Sequence, residues 1–357
     1  MAEARKRVVC AMSGGVDSSV AAALLVQEGY DVIGVTMEIW PEMSEEQMAH
    51  QGGCCSIGAV EDARSVCTAL GIPHYVLNLR ERFHQQVIEN FRSEYLRGRT
   101  PNPCIACNRE VKFSELLRRA AALDADYLAT GHYARVEEAE AGYRLLRAAD
   151  SRKDQTYVLW GLGQSELRRV LFPVGHYEKP EIRKVAQSLG LRTWDKPDSQ
   201  EICFVSGDYR QLVTEALPKG RFVDRLGQDL GESPPITHFT VGQRRGIGLA
   251  AERPYYVLEL RSGENTVVIG HREELDGRGC IVEDVHFVSD AWPEAAFDCT
   301  VRIRAHGREA PARVQPLGAG RVGVSFLEAQ TAIAPGQSAV FYAGDDCLGG
   351  GIIEQAI

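Results

Sequence analysis

Straight after the apolar stretch Val8-Val9-Cys10-Ala11-Met12 the chain runs Ser13-Gly14-Gly15-Val16-Asp17-Ser18, and then enters a helical pattern from Ser19 to Gln27. No other feature constrains the fold as tightly. A short buried strand must turn sharply into a helix, and two glycines let the backbone make that turn and approach a ligand closely. Ser13, Ser18, Ser19 and the surrounding amides then face a concavity at a helix N-terminus, where an anion is stabilised. The run lacks the terminal Gly-Lys-Ser/Thr of a Walker A loop, so it is a different kind of anion loop.

The rest of the first half fits an open α/β sheet. Strands are predicted at Val8–Met12, Asp31–Ile39, Tyr75–Leu79 and Tyr127–Thr130, with helical patterns at Val16–Glu28, Ile57–Leu70, Glu81–Leu96 and Arg109–Ala121. Such alternation implies a parallel sheet with helices on both faces, and ligands bind beyond the carboxyl ends of its strands. After about residue 208 the texture changes. Lys219 to Gly231 is Gly-rich, Gly242 to Gly248 is a Gly/Arg loop, and from about Cys280 short alternating strands dominate. Thr300–Arg304, Ala312–Pro316, Arg321–Phe326 and Ser338–Tyr342, split by Gly and Pro turns, point to a small antiparallel barrel or sandwich.

The 357 residues allow about two to three domains of ordinary size. No apolar run approaches the roughly 20 residues that cross a membrane, and Met1 to Lys6 has no signal-peptide pattern, so a cytoplasmic location is expected. In a reducing compartment the 10 cysteines are core, metal-binding or catalytic residues rather than a disulfide scaffold. A net charge of −9 argues against indiscriminate nucleic-acid binding, but leaves room for one specific RNA held by a local field.

Two further segments carry chemistry. In Thr100-Pro101-Asn102-Pro103-Cys104-Ile105-Ala106-Cys107-Asn108 two prolines hold the chain extended, and two cysteines then precede a helix start. Thiolates near a helix N-terminus and an Arg are acidic and reactive. Alone, this spacing fits a redox motif, half a zinc site, a cluster ligand or coincidence. Asp195-Lys196-Pro197-Asp198-Ser199-Gln200-Glu201-Ile202-Cys203-Phe204 places another cysteine in a polar segment. An isolated cysteine is more often a small buried hydrophobe.

Taken together, the motifs resemble a known family. The first loop looks like the pyrophosphate loop of the N-type ATP pyrophosphatases. The ordered series of that loop, Thr100–Cys107, Gly131–Arg135, Lys153–Tyr157, Leu171–Gly175, Asp198–Phe204, Gly242–Gly248, Pro335–Tyr342 and Cys347–Ile353 resembles the tRNA-specific 2-thiouridylases of bacteria and organelles over nearly the whole chain. The resemblance implies a Rossmann-like catalytic domain over residues 1–208, a small tRNA-contacting domain over 209–279 and a C-terminal β-barrel over 280–357. It implies ATP-dependent replacement of the C2 oxygen of the wobble uridine in the Lys, Glu and Gln tRNAs by sulfur, through an adenylated base, with AMP and pyrophosphate released. By the same resemblance, Ala11, Met12, Ser13, Gly14, Gly15, Val16, Asp17 and Ser18 hold the ATP phosphates, with Asp17 a partner for Mg²⁺. Met37 and Gly131 touch the adenosine, Asn102, Pro103 and Cys104 line the target-base site, and Lys153, Asp154 and Gln155 contact the tRNA. Without the resemblance Met37 reads as a core residue and Lys153–Gln155 as a solvated turn. Cys107 and Cys203 match the two family cysteines. In the persulfide account Cys203 takes sulfur from a carrier protein, and Cys107 forms a disulfide with it as the sulfur is released.

The chain departs from the family pattern in two places. Many relatives carry Asp where this chain has Cys104, so Cys104, Cys107 and Cys203 together can supply three ligands of a [4Fe–4S] cluster, whose fourth iron would hold the sulfide. Arg304-Ala305-His306 lacks the aromatic that relatives tend to place between basic residues. Two other readings compete: a pyrophosphatase-type synthetase acting on a small molecule, and an RNA-binding regulator without turnover. The positioned cysteines and the C-terminal motifs speak against the first. Pyrophosphate release that depends on tRNA separates the enzyme from the second. Arg97, Arg99, Arg109, Lys112, Arg244 and Arg245 are candidate phosphate contacts.

Overall fold

The computed structural model describes residues 5–39, 57–198, 203–204, 209–213 and 217–357. The chain forms two compact units. One consists of residues 1–87, 104–207 and 345–347, the other of 88–103, 208–344 and 348–357.

In the first unit the strands are β1 (Arg7–Ala11), β2 (Asp31–Glu38), β3 (His74–Asn78), β4 (Tyr127–Ala129), the hairpin β5 (Ala134–Ala139) and β6 (Gly142–Arg147), and β7 (Val170–Leu171). Five of them make a parallel sheet in the order β3-β2-β1-β4-β7. The order reverses between β1 and β4, the switch point at whose carboxyl edge ligands of such sheets bind. Helix α1 (Val16–Gln27) follows β1, and α2 (Ile57–Leu70) precedes β3. α1 is apolar almost all round because it is buried almost all round: Val20, Ala21, Ala22 and Leu25 pack with Val8, Cys10 and Val32 of the sheet and Ile182 and Ala186 of a later helix.

Two long helices are not regular. The first, α3, runs as Arg80–Phe83, widens to a π segment at His84–Ile88 and continues as Glu89–Leu96. The second, α4, opens at Pro103–Ala106, is π-helical over Cys107–Leu116 and closes at Leu117–Ala121. π segments are rare and cluster at functional sites. Glu89–Leu96 of α3 falls in the second unit, and helix α5 (Lys179–Ser188) in the first. The β5–β6 hairpin was not among the predicted elements. Its second strand is paired by Asp346 and Cys347, opposite Leu146 and Leu145.

The second unit holds two β structures. β8 (Gly220–Val223), β9 (Asp229–Ser233), β10 (Tyr256–Arg261) and β11 (Thr266–Gly270) form a sheet in the order β10-β11-β8-β9, around Phe222, Phe239, Val257, Val267 and Ile269. β12 (Asp276–Phe287), β13 (Phe297–Arg302), β14 (Ala310–Gly318), β15 (Arg321–Thr331), β16 (Ser338–Ala343) and β17 (Asp346–Ala356) run in the order β12-β15-β14-β13-β16-β17, and β12 pairs β17 to close a barrel. Alternation sorts the side chains: in β14, Ala310, Ala312 and Val314 face the core while Pro311 and Arg313 face out. The expected α/β class, central domain and terminal antiparallel barrel are all present, and of the two terminal architectures left open the chain adopts the barrel.

Thr100 and its neighbours are anchored within this second unit. The Thr100 amide donates to Pro335 O at 2.8 Å, and Gln337 Nε2 donates to Thr100 O at 2.7 Å. A Cβ on Gly336 would lie 2.7 Å from Thr100 N, so only glycine admits this approach. The Pro335-Gly336-Gln337 motif thus holds the entry to the Asn102-Pro103 turn.

Candidate active site

The Ser13–Ser18 loop lies at the carboxyl end of β1. Gly14 has φ +67°, and a Cβ there would meet Ala59 O of α2 at 2.3 Å, so the turn packs directly on backbone. Ser18 cross-ties the loop: its Oγ accepts from Ser13 N at 3.1 Å, lies 3.1 Å from Ser13 Oγ and donates to Gly15 O at 3.2 Å. Ser19 Oγ also donates to Gly15 O, at 2.8 Å. Met12 is fixed from β2, its amide bonded to Val35 O and its carbonyl to Thr36 Oγ1. Lys196 reaches Gly14 O at 2.9 Å. Such a loop is preorganised before any ligand arrives. Met37 sits near the carboxyl end of β2, on the same edge of the sheet, with its side chain buried. Gly131 follows β4 and touches the start of α1: a Cβ there would lie 2.6 Å from Ser18 N. Ala11 to Ser18 and Gly131 are therefore brought together at the switch point.

Asp17, in the first turn of α1, is surrounded by donors. Lys179 Nζ lies 2.7 and 2.8 Å from its two oxygens, and Tyr133 OH donates to Oδ1 at 2.7 Å. Burial and the Asp17 carboxylate push the Tyr133 phenol far up, so it stays a donor. Lys179 also pairs with Asp198 at 2.8 Å, and Asp198 in turn with Lys153 at 2.6 Å and Arg183 at 3.2 Å. Burial alone would raise the Asp198 carboxyl, but its bonds to Lys153 and Lys179 hold it below the usual range. Lys179 carried no motif signal, and Tyr133 stood only within the Gly131–Arg135 motif, with no role assigned to it. Beside this network Asp150, Arg152, Lys153, Lys179, Pro180 and Arg183 line a cavity of about 470 Å³.

The other predicted contacts separate by what they hold. Lys153 is engaged by Asp198. The Asp154 side chain, only 2% exposed, accepts from Thr156 Oγ1 at 2.8 and 3.0 Å and faces Arg147 at 3.4 Å. Gln155 Oε1 accepts from Tyr133 N at 2.8 Å, and Gln155 N donates to Tyr133 O at 2.8 Å. Gln155 thus braces the segment after β4, while Asp154 ties its own turn to the end of β6. Arg99 is paired with Glu94 and Glu283, Arg97 with Glu94 and Arg109 with Glu110. Arg244 and Arg245 are exposed and have no ion-pair partner among the described residues. Arg304 donates to the carbonyls of Thr331 and Ala332.

On α4, Cys104 is exposed and Cys107 buried, while Cys203 is half-buried beside Phe204, whose ring meets Phe83 edge-on at 5.5 Å. Among the described residues no three His, Cys, Asp or Glu side chains are gathered to hold a metal ion. Cys104, Cys107 and Cys203 do not form such a group. Asp17 offers the single carboxylate that Mg²⁺ commonly takes alongside nucleotide phosphates. The π segment of α4 also carries a relay that sequence reading missed. Asn108 Nδ2 donates to Val158 O at 2.8 Å, Lys112 Nζ donates to Asn108 Oδ1 at 2.9 Å and lies 3.4 Å from His132 Nε2, and His132 Nδ1 lies 2.5 Å from Thr130 Oγ1. An ammonium only donates, so Nε2 accepts and Nδ1 carries the proton toward Thr130. Burial first, and Lys112 second, hold His132 well below its ordinary pKa.

A five-stranded parallel sheet with this loop, followed along the chain by a four-stranded sheet and an antiparallel barrel, matches the models of a class of tRNA-modifying protein. Family models match in that order: a tRNA methyl transferase HUP domain over residues 6–207, a tRNA methyl transferase PRC-barrel domain over 210–271 and an aminomethyltransferase beta-barrel domain over 277–353. Within that class the chain belongs to the family of tRNA-specific 2-thiouridylases. It is 51% identical over 361 residues to the tRNA-specific 2-thiouridylase MnmA of Carboxydothermus hydrogenoformans, covering 99% of each chain. It is 48% identical to that of Clostridium beijerinckii, covering 99% of this chain and 100% of the relative. Likeness to solved structures is partial. A 4-thiouridine synthetase–RNA complex with bound ATP is 21% identical with a TM-score of 0.38, over 54% of this chain and 43% of the other. No helix among the described residues is long and apolar enough to cross a membrane.

Proposed function

We propose that this chain catalyses the 2-thiolation of the wobble uridine, U34, of tRNA-Lys, tRNA-Glu and tRNA-Gln, in the cytoplasm, using ATP and sulfur delivered by a carrier protein. The observation that carries the reading is full-length family membership, together with the cross-tied serine–glycine loop at the β1/β4 switch point. A carbonyl oxygen is a poor leaving group and must be activated. The uridine O2 attacks the α-phosphorus of ATP, the O–P bond forms, and pyrophosphate leaves. Ala11 to Ser18 hold the phosphates, and Met37 and Gly131 the adenosine. Mg²⁺, held by Asp17, neutralises phosphate charge when bound. Asn102, Pro103 and Cys104 line the pocket for the base, which must leave its stack to react, and Lys153, Asp154 and Gln155 stand on the tRNA side.

Sulfur transfer follows with thiol chemistry. The terminal sulfur of a Cys203 persulfide attacks C2 and the C2–O bond to AMP breaks. The Cys107 thiolate then attacks the Cys203 sulfur, forming a disulfide and leaving the terminal sulfur on C2. A reductant restores both thiols for the next turnover.

The test is purified chain with ATP, unmodified tRNA and a persulfide donor, with nucleosides read by mass spectrometry. 2-Thiouridine at position 34, with pyrophosphate released only when tRNA is present, supports the reading. Methyl transfer from S-adenosylmethionine instead would overturn it. Iron and acid-labile sulfide measured on anaerobically purified protein test the sulfur route. About four irons per chain, lost in C104A, would replace the persulfide steps with a cluster.

A further inference from the structure

The peptide between Gly14 and Gly15 is the freest in the serine–glycine loop, because neither residue beside it has a side chain to restrict rotation. It is held all the same. Lys196 Nζ donates to Gly14 O at 2.9 Å and to Asp62 Oδ2 at 2.7 Å, so an ammonium anchored on α2 grips the carbonyl. Lys196 is itself fixed from within the first unit. Its amide donates to Thr193 O at 3.2 Å, and its carbonyl accepts from Arg183 Nη2 at 3.1 Å. Thr193 Oγ1 in turn donates to Ser19 Oγ of α1 at 3.1 Å.

Two other carbonyls of the loop are spent on donors in the same way. Met12 O accepts from Thr36 Oγ1, and Gly15 O from Ser18 Oγ and Ser19 Oγ. What the loop then offers is amides. Among the described residues the Gly15 and Val16 amides have no acceptor. The C=O and N–H of a trans peptide point in opposite directions, and no peptide among the described residues is cis. The grip on Gly14 O therefore turns Gly15 N–H away from Lys196. A flip of this one peptide would put a carbonyl where that donor stands, and a carbonyl repels a phosphate. Lys196 and Asp62 together carry no net charge, so the pair supplies orientation rather than a field.

We propose that Lys196, braced by Asp62, is a positioning residue that holds the Gly14–Gly15 peptide with its amide toward the phosphates. The inference rests on the reading that the Ser13–Ser18 loop takes the phosphates of ATP, and adds to it a residue that does not touch them.

The experiment uses the full chain with Mg²⁺ and measures binding of inorganic pyrophosphate and, separately, of ATP by calorimetry. Lys196→Met should weaken both about tenfold, the scale of one charge-assisted hydrogen bond. Lys196→Arg, whose guanidinium can donate to Gly14 O and Asp62 at once, should recover part of that loss. The double variant Lys196→Met/Asp62→Asn separates orientation from charge. It keeps the pair neutral but leaves Gly14 O without its donor, so it should bind pyrophosphate as weakly as Lys196→Met. Wild-type affinity in the double variant would mean that the ammonium acts through its charge alone, which overturns the proposal. Unchanged affinity in Lys196→Met overturns it too. If Lys196→Met does not fold, the double variant carries the test with the same two outcomes. A wild-type chain that binds neither pyrophosphate nor ATP removes the reading of the loop itself, whereas wild-type binding that ignores Lys196 removes the positioning role alone.

Discussion

A methyl group at Gly131 would lie 2.6 Å from Ser18 N and 2.7 Å from the carbonyl carbon of Asp17, both backbone atoms that cannot swing aside. Gly131→Ala should therefore cost about 1–3 kcal/mol of stability and weaken ATP binding, because the start of α1 must move. Urea denaturation and an ATP titration check both. His132 makes a prediction in pH. It is held neutral well below its ordinary value of 6.5, so the unfolded chain binds more protons on the acid side. Its contribution to stability is complete above about pH 6.5 and declines as the pH falls below that. His132→Gln should flatten the fall in urea midpoint between neutral pH and pH 5. An unchanged slope would mean that other groups set the acid limb. Legibility at this scale was uneven. Ser13 to Ser18 could be read because glycines and serines at a strand–helix turn have few other uses. Lys179 could not, and Tyr133 and His132 stood only inside the Gly131–Arg135 motif without a role, since Asp17 and Lys112, which face them, come from distant stretches of chain.

Elements with a clean period were the easiest to foresee. β1, β2, α1 and α2 lie within a residue or two of where their apolar patterns place them. β17 was seen as a motif and not as a strand, because Gly349, Gly350 and Gly351 interrupt its apolar alternation. The structure gives the reason for the glycines: a Cβ on Gly349, at φ +140°, would meet His286 O at 2.2 Å, and one on Gly351 would meet Glu283 O at 2.7 Å. They let β17 run close against β12 where the register shifts and the barrel closes. Gly349→Val should cost about 3 kcal/mol, seen as a lower thermal midpoint. An unshifted midpoint would show that the closure tolerates side chains. The π geometry of α4 over Cys107–Leu116 has no sequence signal comparable to a period, which is why Arg109–Ala121 was expected as ordinary helix with Cys107 and Asn108 in the loop before it.

For the whole molecule, a net charge of −9 must coexist with tRNA binding. Most candidate arginines are already paired, whereas Arg244 and Arg245 have no ion-pair partner among the described residues. Replacing both with Gln should lower the slope of log affinity against log salt by about 1.4–1.8 and leave ATP affinity unchanged. Equal loss of both affinities would indicate damage to the fold instead. A different consequence follows from the way the first unit is assembled. Its hairpin strand β6 is completed by Asp346 and Cys347, Arg144 pairs with Asp346 at 2.6 Å, and Arg147 N donates to Asp345 O at 3.0 Å. Those residues follow nearly all of the second unit in the chain. On the ribosome the first unit therefore waits with an open strand edge until the barrel sequence has emerged. A translation product that stops within the second unit lacks the strand that covers β6, and quality-control factors that recognise unpaired edges can tell it from the finished enzyme.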